Sequence, residues 1–199
     1  MFPCYRPIKI QKTIVVEDLP GVLPPVGFFD PLGLAAKAND QLIRKYREAE
    51  LTHGRIAMLA FLGFFVGEAV GKFSLFPGVS GYGIGQIDEV PGSFWITFWC
   101  TAFAIETRRS RNAIVPSVAV PRSSPLFGTY RQDYLPGDLK FDPLGLKPED
   151  PEELKIMQTK ELQHGRVAMI AASGFLAQEL TNQQGIIENV VTTVKSFTS

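Results

Sequence analysis

AELTHGRIAM at residues 49–58 returns as KELQHGRVAM at 160–169, and FFDPLGL at 28–34 returns as KFDPLGL at 140–146. The offsets of 111 and 112 residues are nearly equal. The chain therefore holds two copies of one unit, a turn peptide followed by a helix that carries Glu, His and Arg. Everything else in the sequence is organised around that repeat.

In 199 residues, 20 Lys and Arg balance 20 Asp and Glu, so overall charge favours neither a nucleic acid nor an acidic ligand, and no nucleic-acid partner is expected. Apolar residues concentrate in runs at 56–66, 94–105 and 167–177, each shorter than the ~20 residues of an ordinary membrane span. Small or neutralisable residues extend these runs into helices expected at 41–70, 92–112 and 151–181, the last opening on Pro151. Hydropathy alone fits a soluble helical bundle and a three-span membrane protein about equally.

Flanking charge separates the two. Residues 1–47 hold seven basic and four acidic side chains and 107–160 hold nine and seven, whereas 71–93 and 178–199 each carry one basic and two acidic. The sign alternates as three spans require, with the basic, cytosol-like face at the N-terminus. Three crossings also return the repeat in its original orientation, so the first and third helices form a pair related by a pseudo-two-fold axis along the membrane normal. The expected fold is thus an all-α membrane protein with three transmembrane helices. Its divisions are an N-terminal tail at 1–27, a three-helix domain at 28–181, and a C-terminal tail at 182–199 with room for a short amphipathic helix.

Gly63, Gly67 and Gly71 form a ridge of small residues on the first helix, suited to a neighbouring backbone or to a flat ligand. Cys4 and Cys100 imply no disulfide framework. The opening MFPCYRPIKIQK has neither the apolar core of a secretory signal nor the Ser and Arg richness of a transit peptide, so a targeting segment is expected to be absent or already removed.

Glu50 and His53, like Glu161 and His164, stand three residues apart and share a helix face. Arg55 lies about 140° around the helix from Glu50, poorly aimed at its own copy's carboxylate. An ionised Glu or Arg inside a bilayer needs a partner, and the repeat supplies one by exchange: Glu50 with Arg166, Glu161 with Arg55. A carboxylate neutralised this way keeps a free oxygen for a hard cation such as magnesium, and a neutral imidazole is a second donor. One such histidine would read as a core residue; both histidines of the chain at equivalent positions favour ligation. Glu-x-x-His on two helices is also part of the di-iron carboxylate pattern, an oxidase reading that needs further Glu donors where the second helix offers only Glu106.

These residues resemble the chlorophyll-binding light-harvesting superfamily, and the wording of KFDPLGLKPED and QTKELQHGRVAM resembles its red-lineage fucoxanthin chlorophyll a/c-binding members. The resemblance covers most of residues 28–180. It implies that Glu50, Glu161, His53 and His164 ligate chlorophyll magnesium, with Arg166 and Arg55 as charge partners. It also implies Gln178 as a ligand fourteen residues after His164, and Glu106 as a ligand paired with Arg109. The FDPLGL turns would hold the ends of two carotenoids. Implied cofactors are chlorophyll a, chlorophyll c and a carotenoid of the fucoxanthin or diadinoxanthin kind. Implied partners are a photosystem core such as photosystem I, neighbouring antenna subunits and thylakoid lipid. The implied location is the chloroplast thylakoid membrane, multi-pass, N-terminus stromal.

The implied function is a non-enzymatic antenna that passes excitation to a photosystem, with a photoprotective, heat-dissipating member as the alternative. For a lumenal acid sensor the sequence offers Asp88, Glu89, Glu179 and Glu188. Gly67 stands in the first helix where Gln178 stands in the third, and has no side chain to donate. Phe98 stands where some members have a Gln ligand.

Overall fold

The computed structural model describes residues 19–25, 27–73, 83–115, 129–131 and 134–198, the side chains of 69–73 and 197–198 excepted. Among them run α1 (Asp40–Phe73), α2 (Gln86–Glu89), α3 (Gly92–Ala113), α4 (Pro151–Asn182) and α5 (Ile186–Thr198). Extended pairing among the described residues is limited to two isolated bridges, Leu23 with Gly27 and Ile114 with Tyr130.

Local chemistry sets the helix starts. Asn39 Oδ1 accepts the Leu42 amide hydrogen at 2.9 Å, and Asp150 Oδ2 accepts that of Glu153 at 3.1 Å. Pro151 fills the first turn of α4 beside Glu152 and Glu153, whose charges suit the positive end of the helix dipole. At the far end Gln183 turns the chain out of α4 with φ of 51°.

α1 packs mainly against α4. The contact face repeats at three- and four-residue steps: Leu51, Gly54 and Ala57 on α1, Leu162, Gly165, Ala168 and Ala172 on α4, all buried. Further along, Phe175 of α4 stacks on Phe61 at 5.4 Å between centroids and meets Phe64 and Phe65 edge-on. Closest approach falls at Gly54 and Gly165. A Cβ added to Gly54 would lie 3.1 Å from Gly165 Cα, and one added to Gly165 would lie 3.0 Å from Gly54 Cα.

The backbone contact is therefore not made by the expected glycine ridge. Gly63 has nothing within 4 Å of where its Cβ would be, Gly67 lies against Gln86 of α2, and the surroundings of Gly71 fall outside the described residues. The ridge faces outward in its first residue and is covered by a short helix in its second.

Glu68 and Glu179, equivalent positions of the repeat, each fasten a following segment. Glu68 accepts the backbone N–H groups of Ile186 and Ile187 at the start of α5, and Glu179, fully buried, accepts those of Gly83 and Ile84 at 3.2 and 2.8 Å. A helix start carries unsatisfied N–H groups and a positive dipole end, so a buried carboxylate there is satisfied on both counts.

Large apolar side chains point away from this core along all three long helices: Ile56, Leu59 and Leu62 on α1, Ile96, Trp99 and Phe103 on α3, Val167, Ile170 and Leu180 on α4. That is far more apolar surface than a chain stable in water leaves open, and it calls for lipid or an apolar ligand. By length and composition Asp40–Glu68 can cross a membrane; α3 and α4, among the described residues, fall short of the same apolarity. The reason for α4 is visible in its sequence: both helices share the Glu, His and Arg of the repeat, but the apolar half that reads LAFLGFFVG at 59–67 of α1 reads IAASGFLAQ at 170–178 of α4, with smaller and more polar residues.

Replacing Gly54 with Ala gains about 1 kcal/mol of helix propensity but drives a methyl group into the Gly165 backbone, where overpacking costs ~1–3 kcal/mol. We expect Gly54→Ala to lower the midpoint of thermal unfolding, followed by circular dichroism, and Gly63→Ala to leave it unchanged or raised. Equal midpoints for the two variants would refute the assignment of the crossing point.

Candidate functional site

Directly at the glycine crossing, each helix sends an arginine to the other's glutamate. Arg55 Nε donates to Glu161 Oε1 at 2.7 Å, and Arg166 Nε donates to Glu50 Oε1 at 2.8 Å. All four side chains are about a third exposed, so both pairs sit at the edge of the contact rather than inside it. Each arginine is held a second time by a glycine carbonyl: Arg55 Nη1 by Gly137 at 2.8 Å, Arg166 Nη1 by Gly21 at 2.9 Å.

Gly137 and Gly21 have φ of 83° and 92°, the left-handed region that a side chain resists. A Cβ on Gly137 would also come within 2.6 Å of Leu51 Cδ1. The two glycines lie in matching peptides, Leu19-Pro20-Gly21-x-Leu23 and Leu135-Pro136-Gly137-x-Leu139, so the repeat begins earlier than residue 28. Assigning 1–27 to a tail leaves out a peptide that holds Arg166. The matching LPG-x-L letters were the available signal. They are offset by 116 residues against 112 for FDPLGL, a four-residue insertion that hides them.

The FDPLGL turns are built alike. Asp30 accepts the amides of Leu34 and Ala35, Asp142 those of Leu146 and Lys147, while Gly33 and Gly145 take φ of 62° and 63°. The amides of Lys147 and Leu146 hold the Asp142 carboxyl below its ordinary range, so the clamp stays charged. Between the two LPG peptides, α1 and α4 lies a cavity of about 490 Å³, lined by Leu19, Leu51, Leu135, Phe141, Met157 and Leu162 among others. Phe141 belongs to the second turn.

Glu50 differs from Glu161 in one respect. Its second oxygen, Oε2, accepts from Arg47 Nη1 at 2.9 Å, and Arg47 also donates to the Pro20 carbonyl. Both Glu50 oxygens are thus engaged, contrary to the free oxygen expected of it, because Arg47 has Gln158 as its counterpart in the other copy. On α3, Glu106 Oε2 accepts from Arg109 Nε and Nη2 at 2.9 and 2.7 Å. Arg109 further donates to Glu48 Oε1 at 3.1 Å.

Glu48, like Arg47 and Glu68, is a charged residue that the repeated motif does not single out. It is 3% exposed, and besides Arg109 it accepts from the Tyr134 hydroxyl and from the Gly137 amide at 2.7 Å. Burial and the adjacent negative charge push the Tyr134 hydroxyl well above its ordinary range, which keeps it a donor.

Both histidines present the same geometry. His53 Nδ1 lies 2.7 Å from the Ala49 carbonyl, and His164 Nδ1 lies 2.8 Å from that of Lys160. A carbonyl can only accept, so Nδ1 carries a proton, and in the neutral ring Nε2 keeps a lone pair. Both rings are exposed on the outward faces of α1 and α4. Gln178 is partly covered, and its Nε2 is a buried polar atom without a hydrogen-bond partner. The two imidazole lone pairs fit an axial ligand of a magnesium macrocycle, which needs one lone-pair donor and an apolar wall, whereas the orphaned Gln178 nitrogen carries hydrogens and the amide would ligate only through its oxygen.

Among the described residues no three His, Cys, Asp or Glu side chains converge on one point. With Glu50, Glu106 and Glu161 each bound to arginine, the arrangement does not support a di-iron centre. Glu179, offered by sequence as a sensor, is committed to two amides. Gln86, from α2, occupies the space beside Gly67, its Nε2 donating to the Gly67 carbonyl at 3.3 Å.

A family model described as chlorophyll A-B binding protein matches residues 15–180. The chain belongs to that family. It is 47% identical over 182 residues to the chloroplastic light-harvesting complex stress-related protein 3.2 of Chlamydomonas reinhardtii, covering 87% of this chain and 67% of the relative. It is 46% identical over 178 residues to the chloroplastic fucoxanthin-chlorophyll a-c binding protein of Isochrysis galbana, covering 86% and 83%. To photosystem I chlorophyll a/b-binding protein 6 of Arabidopsis thaliana it is 31% identical over 195 residues, covering 95% and 71%. The family match begins ahead of residue 19, so it takes in the first LPG peptide.

The unequal partners of the two glutamates make a prediction. Arg55→Leu leaves Glu161 with no cation among the described contacts, whereas Arg166→Leu leaves Glu50 paired to Arg47. Because the pairs are a third exposed, the loss falls below that of a fully buried pair: about 1–3 kcal/mol for Arg55→Leu and under about 1 kcal/mol for Arg166→Leu. Refolding yield with pigments and the unfolding midpoint of each variant check the order, and the reverse order would contradict it.

Proposed function

We propose that this chain is a membrane-embedded light-harvesting antenna subunit that binds chlorophyll a, chlorophyll c and a fucoxanthin-like carotenoid, and passes excitation to a photosystem. The observation that carries the reading is the duplicated histidine geometry: two exposed Nε2 lone pairs, fixed by the same i to i−4 hydrogen bond on two crossed helices whose outward faces are apolar. The relative named for fucoxanthin and chlorophyll a-c supports the pigment set, and the chloroplastic relatives support a thylakoid location. In this reading α1, α3 and α4 all cross the membrane, with α1 and α4 a pseudo-two-fold pair and the N-terminus stromal.

Bound chlorophyll and carotenoid supply the light absorption. The chain's own residues set where they sit. His53, His164, Gln178, Glu106, Glu161 and Glu50 supply axial donors, Glu50 with the least freedom because two arginines already share its carboxylate. Arg55, Arg166 and Arg109 cancel the carboxylate charges that a bilayer would penalise. The 490 Å³ cavity by Phe141 has room for one ring end group of a carotenoid rather than the whole molecule.

A second reading is favoured by the stress-related relatives: the same scaffold acting to dissipate excitation as heat. Fluorescence lifetime of the purified pigment-protein decides between them. A long lifetime, equal at neutral and mildly acidic pH, is the antenna result; a lifetime that shortens under acid is the dissipative one.

The histidine geometry predicts that His53→Leu and His164→Leu each remove about one chlorophyll per chain while the helical circular dichroism is kept, since an imidazole without magnesium strands no charge. Pigment extraction against protein concentration measures the stoichiometry. A purified wild-type chain without chlorophyll Soret and red bands would overturn the assignment as a whole.

A further inference from the structure

Across the repeat, position 48 of α1 corresponds to position 159 of α4, and both do the same local task. Glu48 Oε2 accepts the Gly137 amide at 2.7 Å, and Thr159 Oγ1 accepts the Gly21 amide at 3.2 Å. Each therefore fixes the LPG peptide whose carbonyl grips the arginine of the helix crossing. A threonine suffices for that task. The carboxylate at 48 adds what threonine lacks, a charge and a second oxygen, and these reach Arg109 of α3 at 3.1 Å.

Among the described residues α3 packs sparsely against the pair of crossed helices. Its side-chain links to other elements include Arg109 to Glu48, Arg108 to the Lys140 carbonyl and over the Phe141 ring, Asn112 to the Leu139 carbonyl and Trp95 to that of Ile87. Of these, Arg109 to Glu48 alone joins α3 directly to α1 or α4, and it is the one whose far end is buried. From Glu48 the contacts run on without a break: through the Gly137 peptide to Arg55, and from Arg55 to Glu161. Arg109 simultaneously grips Glu106.

We propose that the Glu48 and Thr159 difference selects the side of the crossed pair on which α3 docks, making Glu48 the positioning residue for the Glu106 site. The repeat offers two equivalent flanks, and the fold uses one. Glu48 supplies the sole acidic anchor at this position of the repeat, so Arg109 is drawn to the α1 flank, and its remaining donors then orient the Glu106 carboxylate with Oε1 outward. The proposal rests on the antenna reading only for what Glu106 ligates; the docking of α3 stands apart from it.

The test uses the full chain refolded with pigments, spin-labelled at the native Cys100 on α3 and at Lys45→Cys on α1, with Cys4→Ser to remove the other thiol. Both labelled positions are exposed. Electron–electron distance measurement is expected to give one narrow distribution for this parent. Glu48→Thr, which makes the two copies alike, should broaden or shift it and remove about one chlorophyll, the same one lost in Glu106→Leu by difference absorption. Glu106→Leu itself should lose that pigment with the distance unchanged.

Glu48→Gln keeps the size and the hydrogen bond to Gly137, so it guards against simple misfolding; it too should broaden the distribution, because Arg109 has lost its anion on α1 and keeps only Glu106 of its own helix. An unchanged distance in Glu48→Gln, or an unchanged distance and pigment count in Glu48→Thr, would overturn the proposal. Should the parent bind no chlorophyll, the antenna reading fails, while the distances measured in detergent still decide the docking role.

Discussion

Two arginines that reach across a glycine–glycine contact govern this molecule. At Gly54 and Gly165 the backbones of α1 and α4 touch, and only the absence of side chains allows it. That approach brings Arg55 to Glu161 and Arg166 to Glu50 at 2.7 and 2.8 Å. Closer helices make shorter pairs, and neutralised pairs make an apolar surrounding tolerable, so the two features support one another. The LPG peptides complete the arrangement by giving each arginine a carbonyl, at glycines whose positive φ turns that carbonyl inward.

With the charges satisfied inward, the outward faces are left to apolar residues and to a small number of lone pairs. His53 and His164 spend Nδ1 on the helix backbone and keep Nε2 for something else. Among the described residues α3 packs little and exposes Ile96, Trp99 and Phe103. Such a surface suits polar anchors at the helix end and a cover of apolar molecules. Membership of the chlorophyll A-B binding family supplies the class of those molecules.

Much of this was legible in the letters because it depends on a repeat. The exchange of partners between Glu50, Arg166, Glu161 and Arg55 followed from helix geometry and from the cost of a lone charge in lipid, two constraints that need no coordinates. Residues whose roles depend on distant loops were not legible. Glu48 looks like an ordinary solvated charge five residues before His53 until Tyr134, Gly137 and Arg109 converge on it from elsewhere in the chain. Glu68 and Glu179 sit at the ends of apolar runs, where an acidic residue reads as an interfacial charge; in the fold both cap backbone amides. The glycine ridge makes no backbone contact at Gly63 or Gly67, since small residues permit a close approach without requiring one. Gly54 and Gly165, inside the repeated letters themselves, took that part instead.

The asymmetries of the two copies are as informative as their likeness. Arg47 against Gln158, Glu48 against Thr159 and Gly67 against Gln178 each change what one half can hold. An experimental density map of the pigment-loaded chain tests most directly whether the crossed pair presents donors outward at fixed positions. The expected map shows a flat macrocycle with its magnesium on Nε2 of both His53 and His164, with the Arg55 to Glu161 and Arg166 to Glu50 pairs intact behind them. A map in which those nitrogens meet only lipid or a neighbouring chain, with the pigments held elsewhere, would contradict it.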